Sequence, residues 1–147
     1  MLVHTGPGAQ GRSTSHEVGH QWFYALVEND QGRDPWLDEA LASWAEVGYE
    51  GTLASFRTRP IPAAGQGHVG EPTSFWDRTS ADYYTSVYVQ GVQALDAVGP
   101  RDKIDCALAT YVAANAYRVA RPSDLLAALD GLLPGASAAL VRYGVHG

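Results

Sequence analysis

The stretch His16-Glu17-Val18-Gly19-His20 decides how the rest of the sequence is interpreted. It has the H-E-x-x-H pattern, in which two histidines stand four positions apart. On a helix, residues four apart lie on the same face, so the two imidazoles can converge on one metal ion. Glu17 lies one residue from His16 and can accept a proton from a water molecule beside that metal. The pattern therefore predicts a helix with two zinc ligands and a catalytic carboxylate.

A third protein ligand is needed, because a catalytic zinc site holds three protein ligands and leaves one position free. Glu39 follows His20 after 18 intervening residues. We predict one helix over 13–28 and a second over 35–49, with turn residues at 29–32 between them. Two helices joined by a turn can bring a carboxylate back beside the histidines. Glu39 is therefore the candidate for the third ligand.

Two blocks of sequence, HEVGHQWF at 16–23 and WLDEALA at 36–42, resemble the aminopeptidase-N type of gluzincin zinc metallopeptidases. That family carries H-E-x-x-H, 18 further residues and a Glu, with H-Q-W-F at the second ligand and W-L-N-E-G-F-A around the third. The resemblance is strong over about residues 13–50. It implies a mainly α chain with the thermolysin-like helical catalytic subdomain of this family. It also implies that the protein hydrolyses peptide bonds and takes a peptide as its substrate.

The resemblance gives roles to four residues of the site. It implies that His16, His20 and Glu39 bind a single Zn²⁺ ion. It implies that Glu17 acts first as general base and then as general acid. The chemistry agrees, because bound zinc lowers the pKa of its water toward ~7 and polarises a peptide carbonyl.

A tyrosine is expected to stabilise the oxyanion that develops during hydrolysis, since this charge needs a second electrophile beside zinc. In the family the tyrosine belongs to a downstream Y-x-x-G segment, which Tyr88-Val89-Gln90-Gly91 matches. Gln90 replaces the basic residue that usually precedes the glycine. Tyr83 and Tyr84 lie on the same predicted helix, over 81–98, and are alternatives to Tyr88.

Two further carboxylates can orient the histidines by accepting a hydrogen bond from the ring nitrogen that does not face the metal. Asp38 precedes the third ligand and stands where the family usually has Asn. Glu46 follows Glu39 by seven residues, two helical turns, and lies on the same face. The alternative for both residues is a solvated surface carboxylate.

The sequence also departs from the family pattern. The G-x-M-E-N motif, whose Glu binds the free α-amine of the substrate, normally precedes H-E-x-x-H by a few tens of residues. Only 15 residues precede His16, and they lack this motif and the family's β-rich lobe. We therefore expect residues 1–147 to form a single partial catalytic domain, with the remainder of a longer domain as a candidate partner. The alternative is a non-catalytic zinc-binding remnant or interaction module. The sequence does not decide between exo- and endopeptidase action.

The predicted helices and loop divide the sequence into three regions. The zinc-site helices occupy 13–50, a Pro- and Gly-rich loop occupies 52–79, and a helical part occupies 80–147. Within the loop, a helical turn is expected near 53–57. A short strand is expected at 2–3. His68 lies in the loop, where a histidine is more often solvated than a ligand.

The amino-acid composition of the chain excludes several classes of function. Apolar residues make up 46% of the chain, which is enough for a core, but no apolar run is long enough to span a membrane. The net charge of −6 argues against nucleic acid as a partner. Cys106 is the one cysteine, so a disulfide framework and a Cys-based zinc site are excluded. Its Leu- and Ala-rich surroundings predict a buried thiol. Neither a secretion signal nor another indication of the compartment is evident.

Overall fold

The computed structural model describes residues 10–147, and side-chain environments from residue 14 onward. The strand expected at 2–3 lies outside this range. Within it the chain is mainly helical, which confirms the predicted fold class. None of the helices in the described range is long and apolar enough to cross a membrane.

Eight α-helices follow one another along the described chain. They are α1 (Gln10–Phe23), α2 (Trp36–Tyr49), α3 (Leu53–Arg57), α4 (Ser80–Tyr83), α5 (Gln90–Val98), α6 (Arg101–Asn115), α7 (Pro122–Leu132) and α8 (Ala136–Leu140). A π-helical segment, Tyr84–Val89, joins α4 to α5. Short 3-10 turns occupy Ala63–Gly65, Thr73–Arg78 and Val141–Tyr143. Two short strands, β1 (Glu28–Asn29) and β2 (Val119–Ala120), pair in parallel with Glu28 opposite Val119.

Several predicted boundaries are wrong for identifiable reasons. The first helix ends at Phe23 and not at residue 28, because Glu28–Asn29 pairs with a strand about ninety residues later. The helix predicted over 81–98 is present, but the Tyr84–Val89 segment interrupts its α-helical hydrogen bonding. The loop over 52–79 contains α3, which confirms the helical turn predicted near 53–57, and it also contains two 3-10 turns that were not predicted.

Cys106 is exposed, so the prediction of a buried thiol is wrong. Helix α6 packs on the core through Ile104, Ala107, Leu108 and Tyr111, which share one face. Cys106 lies between these positions in sequence and points away from that face, as the helical period of 3.6 residues requires. Its apolar neighbours in sequence do not surround it in space.

Helix α2 lies at the centre of the fold. Ten of its fourteen residues are buried, because α1 packs against one side while the π-helical segment and α5 pack against another. Glycines permit these close contacts. A Cβ on Gly19 of α1 would lie 3.0 Å from the Ala42 Cα, and a Cβ on Gly91 of α5 would lie 2.4 Å from the Ala40 Cβ. The elements that carry the predicted site residues are therefore held close to α2.

Gln90 fixes part of the long loop to this helical core. Its side chain is buried, its Oε1 accepts a hydrogen bond from the Gly67 amide at 2.8 Å, and its Nε2 donates to the Gly65 carbonyl at 2.6 Å. Buried amides need such partners, since an unsatisfied polar group in the core costs about 1–3 kcal/mol. Gln90, which stands where the resembling metallopeptidases have a basic residue, thus has a structural role close to Tyr88 in sequence.

Candidate metal centre

His16, His20 and Glu39 converge at the contact between α1 and α2. One donor atom from each residue lies within 4.8 Å of the other two. The Glu39 Oε2 atom is 3.2 Å from the His16 Nε2 and 3.6 Å from the His20 Nε2. All three side chains are partly buried. The structure therefore brings together the three residues that the sequence predicts as zinc ligands, and this set could hold a metal ion.

Each histidine contacts a second carboxylate through its other ring nitrogen. The His16 Nδ1 lies 3.4 Å from the Glu46 Oε2, and the His20 Nδ1 contacts the Asp38 Oδ1. Asp38 is only 1% exposed and Glu46 7%, so the alternative of two solvated surface carboxylates is wrong. These contacts favour the tautomer that carries its proton on Nδ1 and leaves Nε2 free to bind a metal.

The charges at this site are strongly coupled. Burial opposes the charged form of His16, but hydrogen bonds to Glu39 and Glu46 outweigh it and raise the pKa of His16 to about 9. Burial likewise opposes protonation of His20, but Asp38 and Glu39 raise its pKa. Burial disfavours the Glu39 carboxylate, yet hydrogen bonds from His16 and Tyr88 lower its pKa. Protons on the imidazoles balance the carboxylates, and a metal held by these residues would replace those protons.

Tyr88 is the tyrosine that contacts the predicted ligands. Its ring stacks on His16, with centroids 5.6 Å apart and planes 17° apart. Burial, together with the charge of the nearby Glu39 carboxylate, raises the pKa of Tyr88. Tyr84 is 41% exposed and lies beneath the Arg59 guanidinium. Tyr83 packs edge-on against Tyr88, and burial, with the charges of Glu39 and Asp38, raises the pKa of Tyr83 to about 12.

Glu17 is exposed on α1, next to His16 in sequence. Its carboxylate is therefore open to solvent. His68 pairs with Glu71 at 3.4 Å and stacks on Phe75, with centroids 4.9 Å apart. It takes no part in the cluster of possible metal ligands found among residues 10–147.

Some residues that shape the site were not identified from the sequence. Gln31 donates a hydrogen bond to the Asp38 Oδ2 at 2.5 Å, on the side of the carboxylate away from His20. Gly19 and Gly91 allow the close helix contacts described above. The two glycines could have been identified from the sequence, because a Gly inside a helical pattern often marks close packing. The contact of Gln31 with Asp38 could not have been predicted, since Gln31 lies in a polar turn.

Comparison with known proteins finds partial similarity to aminopeptidases. Aminopeptidase M1-B of Oryza sativa subsp. japonica is 28% identical over 141 residues, covering 80% of this chain and 15% of the rice protein. This chain is similar to aminopeptidases. Aminopeptidase M1-D of the same plant is 26% identical over 139 residues, with the same two shares. Aminopeptidase Q of Acinonyx jubatus is 53% identical over 34 residues, 23% of this chain and 3% of that protein.

These partial similarities support a relationship to the M1 aminopeptidases. The chain spans about 15% of the length of the rice relatives. No protein-family model and no solved structure matches it.

Proposed function

We propose that this chain provides the zinc-binding and water-activating part of a peptidase that hydrolyses peptide bonds. One observation carries the proposal. The Nε2 atoms of His16 and His20 face the same Glu39 oxygen, while a buried carboxylate contacts the Nδ1 atom of each histidine. This is the donor set and the outer support that a catalytic zinc site requires.

The residues fit a zinc ion in number and in kind. Two imidazoles and one carboxylate make three protein ligands, which leaves a fourth position for the reaction. When bound, zinc would activate a water molecule and polarise the peptide carbonyl. The remaining chemistry belongs to side chains of this chain.

Glu17 is the proposed general base and acid. Its exposed carboxylate takes a proton from the attacking water and then delivers it to the amine that leaves. Tyr88 is the proposed oxyanion partner, because its ring stacks on the predicted ligand His16 and a hydroxyl at this place could donate to a developing negative charge. Asp38 and Glu46 hold the two imidazoles in the metal-binding orientation.

The names of the relatives support an aminopeptidase-like reaction on a peptide substrate. We propose that residues 1–147 act as one partial catalytic domain within this reaction. The substrate and the rest of such a domain are the expected partners, and the acidic charge of the chain argues against nucleic acid.

Metal analysis of the purified protein tests zinc binding. We expect about one zinc per chain in the wild type and a strong loss in His20→Ala. His68→Ala is the matched control, since His68 lies in the loop and outside the cluster. A wild-type protein without zinc, or zinc unchanged in His20→Ala, would refute the proposed metal site.

Hydrolysis of fluorogenic aminoacyl and peptide substrates tests the catalytic role separately. Glu17→Gln should keep the metal and lose roughly 10²–10⁴-fold in rate, the usual contribution of a positioned acid–base group. Glu28→Gln, which neutralises another exposed carboxylate, should keep its activity. Equal rates in Glu17→Gln and wild type would refute the role of Glu17. Zinc binding without any hydrolysis by the wild type would instead identify a non-catalytic zinc module.

A further inference from the structure

The buried carboxylate of Asp38 has a different neighbour at each of its two oxygens. Its Oδ1 contacts the His20 Nδ1, and its Oδ2 accepts a hydrogen bond from the Gln31 Nε2 at 2.5 Å. Because an ionised carboxylate only accepts hydrogen bonds, the Gln31 amide must present its NH₂ group and not its oxygen. Gln31, Asp38 and His20 thus form a row of three hydrogen-bonded side chains that ends at a predicted zinc ligand.

The contact with Gln31 restricts how the Asp38 carboxylate is oriented. The torsion that turns a carboxylate group about its bond to Cβ has a broad energy minimum, so a single partner leaves the plane of the group loosely defined. Here one oxygen is held by Gln31 and the other meets His20. The His20 ring is therefore oriented by a carboxylate that is itself held in place.

The turn that carries Gln31 is anchored on both sides of this residue. The Asp30 Oδ1 accepts the backbone amides of Gly32 and Arg33, each at 3.1 Å. The Gly32 carbonyl accepts the Thr73 amide at 2.9 Å and the Thr73 hydroxyl at 3.1 Å, which joins the turn to the long loop. The Gln31 side chain therefore extends from a backbone of fixed conformation.

We infer that Gln31 is a positioning residue of the metal centre, which acts on His20 through Asp38. The inference rests on the proposed function and adds to it a residue that takes no part in the chemistry. Without the Gln31 amide, solvent water meets the Asp38 Oδ2, and water is not attached to the turn. The Asp38 carboxylate is then held less firmly, and a ligand whose partner is less firmly held binds a metal more weakly.

Zinc affinity in a double-mutant cycle tests this inference without relying on turnover. Competition with a chromogenic chelator gives the affinity of the wild type, Gln31→Met, Asp38→Ala and the protein with both substitutions. Methionine has about the length of glutamine without its amide, and Gln31 is exposed, so the substitution leaves the core intact. Gln66→Met is the matched control, because Gln66 is also exposed and its amide donates to the Ile61 carbonyl at 3.1 Å.

We expect Gln31→Met to weaken zinc binding by roughly 3- to 10-fold, less than the 10- to 100-fold that is usual for a ligand's direct partner. In the Asp38→Ala background, the same substitution should change the affinity by less than about twofold, because the carboxylate through which Gln31 acts is gone. Gln66→Met should bind zinc as the wild type does. An equal loss from Gln31→Met in both backgrounds would overturn the inference.

Nuclear magnetic resonance of the zinc-loaded proteins distinguishes positioning from a general loosening of the fold. The Nδ1 proton of His20 should change its chemical shift in Gln31→Met, because its acceptor Asp38 has lost a partner. The Nδ1 proton of His16, which faces Glu46, should keep its chemical shift. Equal changes at both histidines would show a general effect and would count against the inference.

The outcomes separate this inference from the proposed function. If the wild type binds no zinc, the proposed function is wrong, and the inference falls with it. If the wild type binds zinc and His20→Ala does not, but Gln31→Met binds zinc as tightly as the wild type, the inference alone is overturned.

Discussion

Helices α1 and α2 have the same length but opposite environments. Each spans fourteen residues. In α2, ten of these are buried, whereas between residues 14 and 23 of α1 only Gly19 and Phe23 are. Val18 and Trp22 of α1 are each about half exposed, at 48% and 49%. The comparison shows that α2 lies in the core, whereas α1 packs on it through one face and leaves the rest of its surface exposed.

The two helices nevertheless depend on each other electrostatically. Helix α2 buries the carboxylates of Asp38 and Glu46, and an unpaired buried charge is strongly destabilising. The imidazoles of His16 and His20 supply the partners from α1. The buried carboxylates of α2 therefore need the two histidines as charge partners even when no metal is bound.

The largest effect on stability should come from a substitution in the buried part of α2. Leu41 of α2 is fully buried, so Leu41→Ala should lower the free energy of unfolding by about 2–5 kcal/mol through lost burial and a cavity. Val18→Ala, on the exposed side of α1, should stay within about 0.5 kcal/mol of the wild type. Urea unfolding of the metal-free proteins measures both. Similar losses in the two variants would contradict the division between the helices.

Zinc binding should stabilise the folded protein, because its predicted ligands come from both α1 and α2. At free zinc 100 times above the dissociation constant, the free energy of unfolding should rise by about 2.7 kcal/mol, because the metal binds only the folded site. His16→Ala should abolish this gain, and His68→Ala should retain it. Thermal unfolding with and without zinc is the measurement. An equal gain in His16→Ala would place the zinc elsewhere.

The buried carboxylates of α2 should set zinc affinity through the histidines of α1. Asp38→Ala and Glu46→Ala should each weaken zinc binding by roughly 10- to 100-fold, the usual effect of removing a partner that orients a ligand. Glu50→Ala, at the end of the same helix, is the control and should leave affinity unchanged. Competition with a chromogenic chelator gives the values. Unaltered affinity in both test variants would exclude an orienting role.

The smallest effect should come from the contact between α2 and α5. Gly91→Ala places a methyl group 2.4 Å from the Ala40 Cβ, so the helices must separate. We expect a loss of about 1–2 kcal/mol, since overpacking costs roughly 1–3 kcal/mol and the better helix propensity of Ala offsets part of it. Gly131→Ala in α7 meets nothing within 4 Å and should be neutral or stabilising. Equal stability of the two variants in urea would show that the contact is not tight.

The sequence predicted those features that depend on local spacing. The four-residue separation of His16 and His20 and the turn before α2 are encoded within a few residues, and so are most of the helices. The π-helical segment and the early end of α1 were not predicted. The early end of α1 depends on a distant group, the Val119–Ala120 strand that pairs with Glu28–Asn29. The roles of the predicted site residues stay predictions until metal and activity are measured.

The sequence by itself determined the candidate ligands, the candidate base Glu17 and the helical character of the chain, because motif spacing and helical periodicity are local properties. Only the tertiary structure decided which tyrosine contacts His16 and that Asp38 and Glu46 are buried behind the histidines. These facts depend on how closely helices pack, and that distance is set by contacts between residues far apart in the chain, such as Gly19 with Ala42 and Gly91 with Ala40.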